Sequence, residues 1–190
     1  MRVLGVDPGT RLTGWGIVDM SGRRLSRVAS GVLRLGAGDL AGRLALIHQQ
    51  ISAIVAEHQP GAVSLERNFV SRNIQSAFRL GEARGAIMAA VAAGGVALTE
   101  YTPATIKKAV VGHGRAGKAD VQEAVVRLLK LTDLPTEDEA DALAAAACYA
   151  LRSGYDGKVA EALGRRGRGL SAVAKAAVAA GRAKRPGGRT

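Results

Sequence analysis

The stretch Val3-Leu4-Gly5-Val6-Asp7-Pro8-Gly9 determines much of the fold, because a short apolar run ends in a single carboxylate and a turn. An apolar run of this length bounded by Pro-Gly is typical of a buried strand that stops at a sharp bend. We therefore predict a strand over residues 2–7 with Asp7 at its carboxyl end. Taken alone, an Asp in this position also fits a turn residue that hydrogen bonds to its own backbone.

The same pattern returns at Val63-Ser64-Leu65-Glu66, where a second apolar run ends in a carboxylate. Two further acids, Asp138 and Asp141, stand three residues apart at the start of an Ala-rich segment. Residues spaced by three lie on one face of a helix. For Glu66 the simpler alternative is a surface ion pair with Arg67 or Arg72.

Hydrophobic spacing and turn signals predict an α/β fold whose elements follow the order βββαβαβ, with further helices after them. The predicted strands are residues 2–7, 14–19, 27–35, 62–66 and 96–100, and the predicted helices are residues 39–58, 74–93, 103–110, 118–130 and 136–152. The first three strands are separated by turns and should pair antiparallel. Helical crossovers require the later strands to pair in parallel, which gives a mixed five-stranded sheet flanked by helices.

Parallel pairing places Asp7 and Glu66 at the same edge of the sheet, where ligands bind in open α/β folds. If the helix that carries Asp138 and Asp141 packs nearby, four carboxylates converge on one point. Like charges that lie a few ångströms apart repel strongly, so such a cluster needs cations between its members. Oxygen ligands favour hard divalent cations, and we predict a pair of them.

The acids near residue 138 also have a structural explanation. Thr136 and Glu139 fit a capping box, and acidic residues are favoured at a helix N-terminus. This explanation covers Glu137 and Glu139. It leaves Asp141, which lies beyond the first turn among apolar neighbours, without a structural role.

The basic charge of the chain is concentrated at its C-terminus. The chain has 190 residues and a formal net charge of +11 at pH 7. Residues 151–190 hold 10 of the Lys and Arg side chains but only 2 of the acids. We predict one globular domain over residues 1–152 and a basic, disordered tail over residues 153–190. The tail would either bind a polyanion or only improve solubility.

Nothing in the sequence suggests a membrane span or a signal peptide, so we expect a cytoplasmic protein with no membrane contact. The single Cys148 lies among alanines and is expected to be a small core residue.

The segment Gly112–Ala119 partly matches a phosphate-binding loop, but its last position is Ala119 and not the Ser or Thr that would hold magnesium. The preceding residues also favour a helix over a strand. A loop whose Arg115 and Lys118 contact nucleic-acid phosphates explains the same sequence. The segment Asp7-Pro8-Gly9-Thr10 also resembles the phosphate loop of actin-like sugar kinases, which are far longer.

Phe69 follows Glu66 in a polar loop that contains Arg67 and Arg72. A loop phenylalanine commonly packs into the core. The functional alternative is an aromatic side chain that stacks on unpaired bases.

Taken together, these motifs resemble the RuvC family of bacterial Holliday junction resolvases over residues 1–152. The resemblance rests on four motifs: GVDPGT followed by TG and G, the strand ending in Glu66 with Phe69 beyond it, VVGxGxxxK at residues 110–118, and DxxDALA from Asp138. It implies a ribonuclease H-like fold, a homodimer, and magnesium-dependent nicking of two opposed strands of a four-way DNA junction during recombination and repair. It leaves open whether a branch-migration complex docks on the dimer.

The resemblance also implies roles for individual residues. Asp7, Glu66, Asp138 and Asp141 match the metal-binding carboxylates, which would hold two Mg²⁺ per subunit with Mn²⁺ as a substitute. Lys107 and Lys118 match the basic residues near the scissile phosphate, and Phe69 matches the base-stacking aromatic residue; we add Arg67, Arg72 and Arg115 as further DNA contacts. Some family members have His at position 138, whereas this chain has Asp.

A two-metal hydrolysis of this kind would leave a 5′ phosphate and a 3′ hydroxyl without a protein nucleophile. A two-fold symmetric junction suits a two-fold symmetric dimer. The small residues Gly81, Gly85, Ala86 and Ala89 on helix 74–93 would permit a close interface, unless they pack on the sheet of their own subunit. A non-catalytic junction-binding protein and an actin-like phosphotransferase remain as alternative functions.

Overall fold

The computed structural model describes the backbone of residues 1–67 and 73–167, and the side chains of residues 1–67 and 73–153. The chain divides into two compact units, Met1–Arg152 and Ser153–Thr190. The described residues form five strands and five helices: β1 (Arg2–Asp7), β2 (Leu12–Ser21), β3 (Arg24–Arg34), α1 (Leu40–His58), β4 (Ala62–Glu66), α2 (Ile74–Ala93), β5 (Leu98–Tyr101), α3 (Pro103–Val110), α4 (Lys118–Leu129) and α5 (Glu137–Gly167).

The five strands form one mixed sheet in the order β3-β2-β1-β4-β5. Strand β2 pairs antiparallel with β1 and β3, whereas β4 pairs in parallel with β1 and β5. These pairings confirm the predicted sheet. Val6 lies opposite Leu65 in the parallel register, so Asp7 and Glu66 follow at the same edge.

Several boundaries differ from the prediction. Strands β2 and β3 are longer because Ser21 pairs directly with Arg24, and Gly22 closes this tight hairpin with a left-handed φ of 61°. The predicted strands end at residue 19 and begin again at residue 27, so the prediction leaves more residues in the turn than the structure does. Helix α5 continues to Gly167, past the predicted end at residue 152. The prediction of a disordered tail stays a prediction for residues 168–190, which lie outside the described residues.

Two apolar clusters cover the two faces of the sheet. Leu4 and Val6 of β1 pack with Ile51 of α1 and Ile87 of α2 on one face. Val3 belongs to the cluster on the other face, which includes α4 and the buried alanines of α5. Because side chains alternate along a strand, Asp7 lies on the same face as Val3 and therefore on the side of α5.

Helix α5 lies on a strip of glycines in β1 and β2. A Cβ atom on Gly5 would come within 1.9 Å of the Ala142 carbonyl oxygen, and a Cβ atom on Gly16 within 2.7 Å of Leu143 Cδ2. The alanines of α5 that face this strip are fully buried. This close approach explains why the sequence has glycines within the strands and alanines in the helix. Cys148 is also buried here, as predicted.

None of the helices in the described part of the chain combines the length and the apolar character that crossing a bilayer requires.

Candidate active site

One pocket of about 250 Å³ lies at the carboxyl ends of β1 and β4. Asp7 and Glu66 contribute to it from the strands, and Asp141 contributes from α5. Lys107 of α3 and Lys118 of α4 also line it. The structure thus brings together five of the six predicted catalytic residues, which come from five different elements.

The turn after Asp7 is held in place by a buried threonine. Thr13 is fully buried, and its hydroxyl donates a hydrogen bond of 2.9 Å to the carbonyl oxygen of Gly9. The backbone N–H of Gly9 lies 3.4 Å from the same hydroxyl and donates to it. These bonds fix the Pro8-Gly9 turn, and with it the end of β1. Sequence reasoning had not assigned this role to Thr13.

The surroundings of Asp7 favour its neutral form. Burial, and then the negative charges of Glu66, Asp141 and Asp138, raise the pKa of Asp7 from 3.8 to about 8, while Lys118 opposes the shift. Three other carboxylates therefore act on Asp7 electrostatically. Asp138, which is half-buried at the start of α5, is one of these three.

Glu66 is 9% exposed and lines the pocket, and one of the two arginines considered as its partner, Arg72, lies outside the described residues. It faces the same side of the sheet as Asp7.

The four acids at the start of α5 have separate roles. Glu139 completes the predicted capping box: its Oε2 accepts a hydrogen bond of 3.0 Å from the N–H of Thr136, and its own N–H donates to Thr136 Oγ1 at 3.4 Å. Glu137 instead lies 2.5 Å from the ammonium of Lys118. Asp141 lines the pocket, and the charge of Asp138 acts on Asp7. Sequence reasoning assigned Glu137 to helix capping and missed its ion pair, because the pair joins two segments 19 residues apart.

Burial raises the pKa of Asp141, and the positive charges of Lys118 and Lys107 oppose this shift. The two lysines are held differently. Lys107 Nζ donates a hydrogen bond of 2.7 Å to the carbonyl oxygen of Ala116, a neutral acceptor. Lys118 pairs with the carboxylate of Glu137, and this pair raises the pKa of Lys118.

The segment Gly112–Ala119 joins helix α3 to helix α4, so the strand that a nucleotide-binding loop requires is missing before it. The N–H of Gly117 donates to Asp120 Oδ2 at 2.8 Å, which closes the start of α4. This excludes the phosphate-binding-loop interpretation. Arg115 is exposed on this loop.

The other predicted DNA contacts are Arg67, Phe69 and Arg72, of which the structure describes Arg67. Arg67 is exposed directly after Glu66, and its N–H donates a hydrogen bond to the carbonyl oxygen of Tyr101. Phe69 and Arg72 lie outside the described residues.

The chemistry of the donor set fits divalent cations, because buried carboxylates that raise one another's pKa are stabilised by positive charge between them. Within residues 1–67 and 73–153, however, no group of three or more His, Cys, Asp and Glu side chains is already placed to hold a metal ion.

A mixed sheet of this order, with carboxylates where its parallel strands end, defines the class of nucleases with a ribonuclease H-like fold. The family model described as "Crossover junction endodeoxyribonuclease RuvC" matches residues 3–149. The chain belongs to this RuvC family of crossover junction endodeoxyribonucleases, which act in DNA recombination and repair. The fold class predicted from the sequence is confirmed.

Similar proteins support this placement over most of the chain. A crossover junction endodeoxyribonuclease RuvC of Burkholderia ambifaria (strain MC40-6) is 48% identical over 175 residues, which cover 92% of this chain and 93% of the relative. The corresponding protein of Burkholderia lata is 53% identical over 150 residues, or 79% of this chain and 83% of the relative.

Solved structures of Thermus thermophilus RuvC are similar in fold. One structure of this protein gives a TM-score of 0.75 at 31% identity, covering 80% of this chain and 95% of the solved chain. The structure of the same protein in complex with a Holliday junction substrate gives a TM-score of 0.78 at 30% identity, covering 82% of this chain and 96% of the solved chain.

Proposed function

We propose that this enzyme resolves four-way DNA junctions by hydrolysing one phosphodiester in each of two opposed strands. The observation that carries this proposal is the single pocket that Asp7, Glu66 and Asp141 share with Lys107 and Lys118. Carboxylates that bind cations and lysines that bind phosphate are the groups that hydrolysis of a DNA backbone requires.

Asp7, Glu66, Asp138 and Asp141 are the proposed ligands for two Mg²⁺ per subunit, with Mn²⁺ as a substitute. When bound, such cations supply a hydroxide nucleophile and stabilise the leaving 3′ oxygen. The raised pKa of Asp7 supports this assignment, because a carboxylate in this environment ionises readily only beside a positive charge.

The two lysines that line the pocket would orient the scissile phosphate. Lys107 is fixed by the Ala116 carbonyl oxygen, and Lys118 lies at the first turn of α4, whose N-terminus also favours an anion. Because the 3′ oxygen would be the leaving group, hydrolysis would leave a 5′ phosphate and a 3′ hydroxyl, and it would need no protein nucleophile.

Other basic residues would bind DNA outside the pocket. Arg67 and Arg115 are exposed on segments that adjoin it, which supports phosphate contacts from both. We retain Arg72 as a DNA contact and Phe69 as the base-stacking residue on the sequence pattern alone. The basic residues of the tail, residues 153–190, would add sequence-independent affinity for the same polyanion.

We further propose a homodimer formed through α2. Ala83, Ile87, Ala90 and Val91 of this helix pack on the sheet of their own subunit. The opposite face leaves Ile74 and Phe78 75% and 70% exposed. Gly81, Gly85 and Ala89 continue this face and are exposed as well, whereas Ala86 packs partly against the core. An uncovered apolar face of this kind is typical of a protein interface.

A dimer of this kind would present two pockets to the two opposed strands of a junction. A branch-migration complex that docks on it remains a further proposed partner. The proposed DNA substrate is consistent with action in the cytoplasm.

The test replaces each acid by its amide: Asp7→Asn, Glu66→Gln, Asp138→Asn and Asp141→Asn. Each variant should lose magnesium-dependent nicking of a synthetic four-way junction by several orders of magnitude and keep junction binding in EDTA. Glu57→Gln removes a carboxylate that is 74% exposed at the end of α1, and serves as the control with wild-type cleavage. Cleavage near the wild-type rate by any two of the four amide variants would contradict the site.

A parallel assay separates the enzyme from a non-catalytic junction-binding protein. A four-way junction and a linear duplex of the same sequence are incubated with and without magnesium. Symmetric nicks only in the junction, and only with magnesium, are the expected result. Binding without nicking under all conditions would favour the non-catalytic alternative.

A further inference from the structure

We propose that Glu137 is a positioning residue that holds Lys118 at the pocket and withholds its charge from DNA until a phosphate replaces the carboxylate. The Lys118 Nζ atom lies 2.5 Å from Glu137 Oε2, which joins the first turn of α4 to the first turn of α5. This inference rests on the proposed function, because it requires Lys118 to bind DNA phosphate.

The ion pair contributes little to folding, because its two side chains are 68% and 53% exposed. The start of α5 does not depend on Glu137 either. Thr136 and Glu139 form the capping box, and Asp138 and Glu139 also supply negative charge to the first turn. Glu137 is therefore not needed for the stability of α5, and its role concerns Lys118.

Lys118 differs in this respect from the other lysine of the pocket. Lys107 donates to a backbone carbonyl oxygen, which carries no net charge and competes weakly with a phosphate. Lys118 is bound to a full negative charge. A phosphate that approaches Lys118 must displace that carboxylate, so the ion pair lowers the affinity that this lysine could otherwise contribute.

The pair also keeps Lys118 near the carboxylates. The positive charge of the ammonium opposes the rise that burial causes in the pKa of Asp7 and of Asp141. Because Glu137 immediately precedes Asp138, its contact with Lys118 links the start of α4 to a proposed metal ligand. A phosphate that binds Lys118 would therefore lie next to the carboxylates that are the proposed metal ligands.

The test measures binding of the full-length protein to a synthetic four-way junction and to a matched linear duplex in EDTA, over a series of salt concentrations. Glu137→Gln should tighten binding to both DNAs, by up to about eightfold near 0.1 M salt, since one more cation becomes available to phosphate. The slope of log affinity against log salt should steepen by about 0.9. Glu123→Gln, which removes an exposed carboxylate from α4, should leave the slope unchanged.

Measuring the same substitution in a Lys118→Met protein shows whether Glu137 acts by pairing with Lys118 or by repelling DNA directly. In Lys118→Met the substitution Glu137→Gln should have no effect on affinity or slope, whereas repulsion would give the same gain in both backgrounds and overturn the proposal. Glu137→Asp keeps the charge and should restore the wild-type slope.

Unchanged binding by Glu137→Gln would also overturn the proposal, as would a large fall in its melting temperature, which would make Glu137 a structural residue. The assay needs no cleavage. Failure of the proposed hydrolysis would appear in the nicking assay and would leave these binding results interpretable.

Discussion

Gly14 of β2 lies directly against the backbone of Asp138, so that a Cβ atom on Gly14 would stand 2.0 Å from the Asp138 carbonyl oxygen. Gly14 is also the strand partner of Asp7. One glycine therefore separates two of the proposed metal ligands, and the missing side chain sets how closely α5 approaches the end of β1. The distance between Asp7 and Asp138 therefore depends on the contact between the backbones of Gly14 and Asp138.

We expect Gly14→Ala to displace the start of α5 and to destabilise the protein by about 1–3 kcal/mol, because the added methyl group meets the backbone of Asp138. Cleavage should fall further than the unfolded fraction explains, since Asp138 moves away from Asp7. Chemical denaturation and single-turnover nicking measure the two effects. Gly38→Ala is the control, because nothing lies within 4 Å of a Cβ atom at Gly38. Equal behaviour of the two variants would show that α5 accommodates the methyl group.

The raised pKa of Asp7 predicts a specific dependence of stability on pH. The folded protein holds this proton up to about pH 8, whereas the unfolded chain releases it near pH 3.8. The folded state therefore binds more protons between these values. In EDTA the contribution of Asp7 to stability should be full below pH 4 and fall as the pH rises to 8, by at most about 1.4 kcal/mol per pH unit.

The comparison with Asp7→Asn isolates this contribution, since the amide does not titrate. The variant should become more stable relative to the wild type as the pH rises from 5 to 8 in EDTA. Magnesium at pH 8 should stabilise the wild type and have a smaller effect on the variant. A constant difference between the two proteins across this range would show that Asp7 is ionised throughout.

The exposed face of α2 predicts that Phe78→Ser weakens self-association. Phe78 is 70% exposed in the single chain, so the substitution should leave the melting temperature of the monomer almost unchanged while raising the dimer dissociation constant at least tenfold. Sedimentation velocity over a range of concentrations measures this. Leu134→Ser removes an equally exposed apolar side chain elsewhere and should leave the dimer intact. Similar association of both variants would place the interface on another surface.

The proposed role of Phe69 remains a prediction from the sequence. If this side chain stacks on unpaired bases, Phe69→Ala should reduce junction cleavage strongly, because stacking contributes about 1–3 kcal/mol per base, and it should barely change the melting temperature. The fluorescence of 2-aminopurine at the junction centre reports the stacking. A core phenylalanine would behave in the opposite way, with a loss of about 3–5 kcal/mol of stability and unchanged fluorescence.

The sheet and the edge at which the acids meet could be predicted, because apolar runs, turn residues and crossover rules are local or topological signals. Asp7 and Glu66 follow directly from them. The contact between Gly14 and Asp138 could not be predicted, since it depends on how closely a distant helix approaches a strand. The ion pair between Lys118 and Glu137 could not be predicted either, because it joins two different helices. The position of Glu137 at a helix N-terminus was already explained by helix capping. The orientations of the carboxylates that would bind metal could not be predicted either, because they depend on tertiary packing.

The contact of α5 with the sheet has a consequence for how the pocket responds to change. Gly5 meets backbone atoms of Ala142 and Ala146, and Gly14 meets the backbone of Asp138, so a change of side-chain rotamer cannot absorb a perturbation at these two positions. A change at this contact must therefore shift the helix as a rigid body. Asp138 and Asp141 would move together, and only their separation from Asp7 and Glu66 would vary. The width of the pocket is then set by one distance, that between α5 and the ends of β1 and β4. Related sequences could change this distance through substitutions in the contact between α5 and the sheet, without replacing any of the acids.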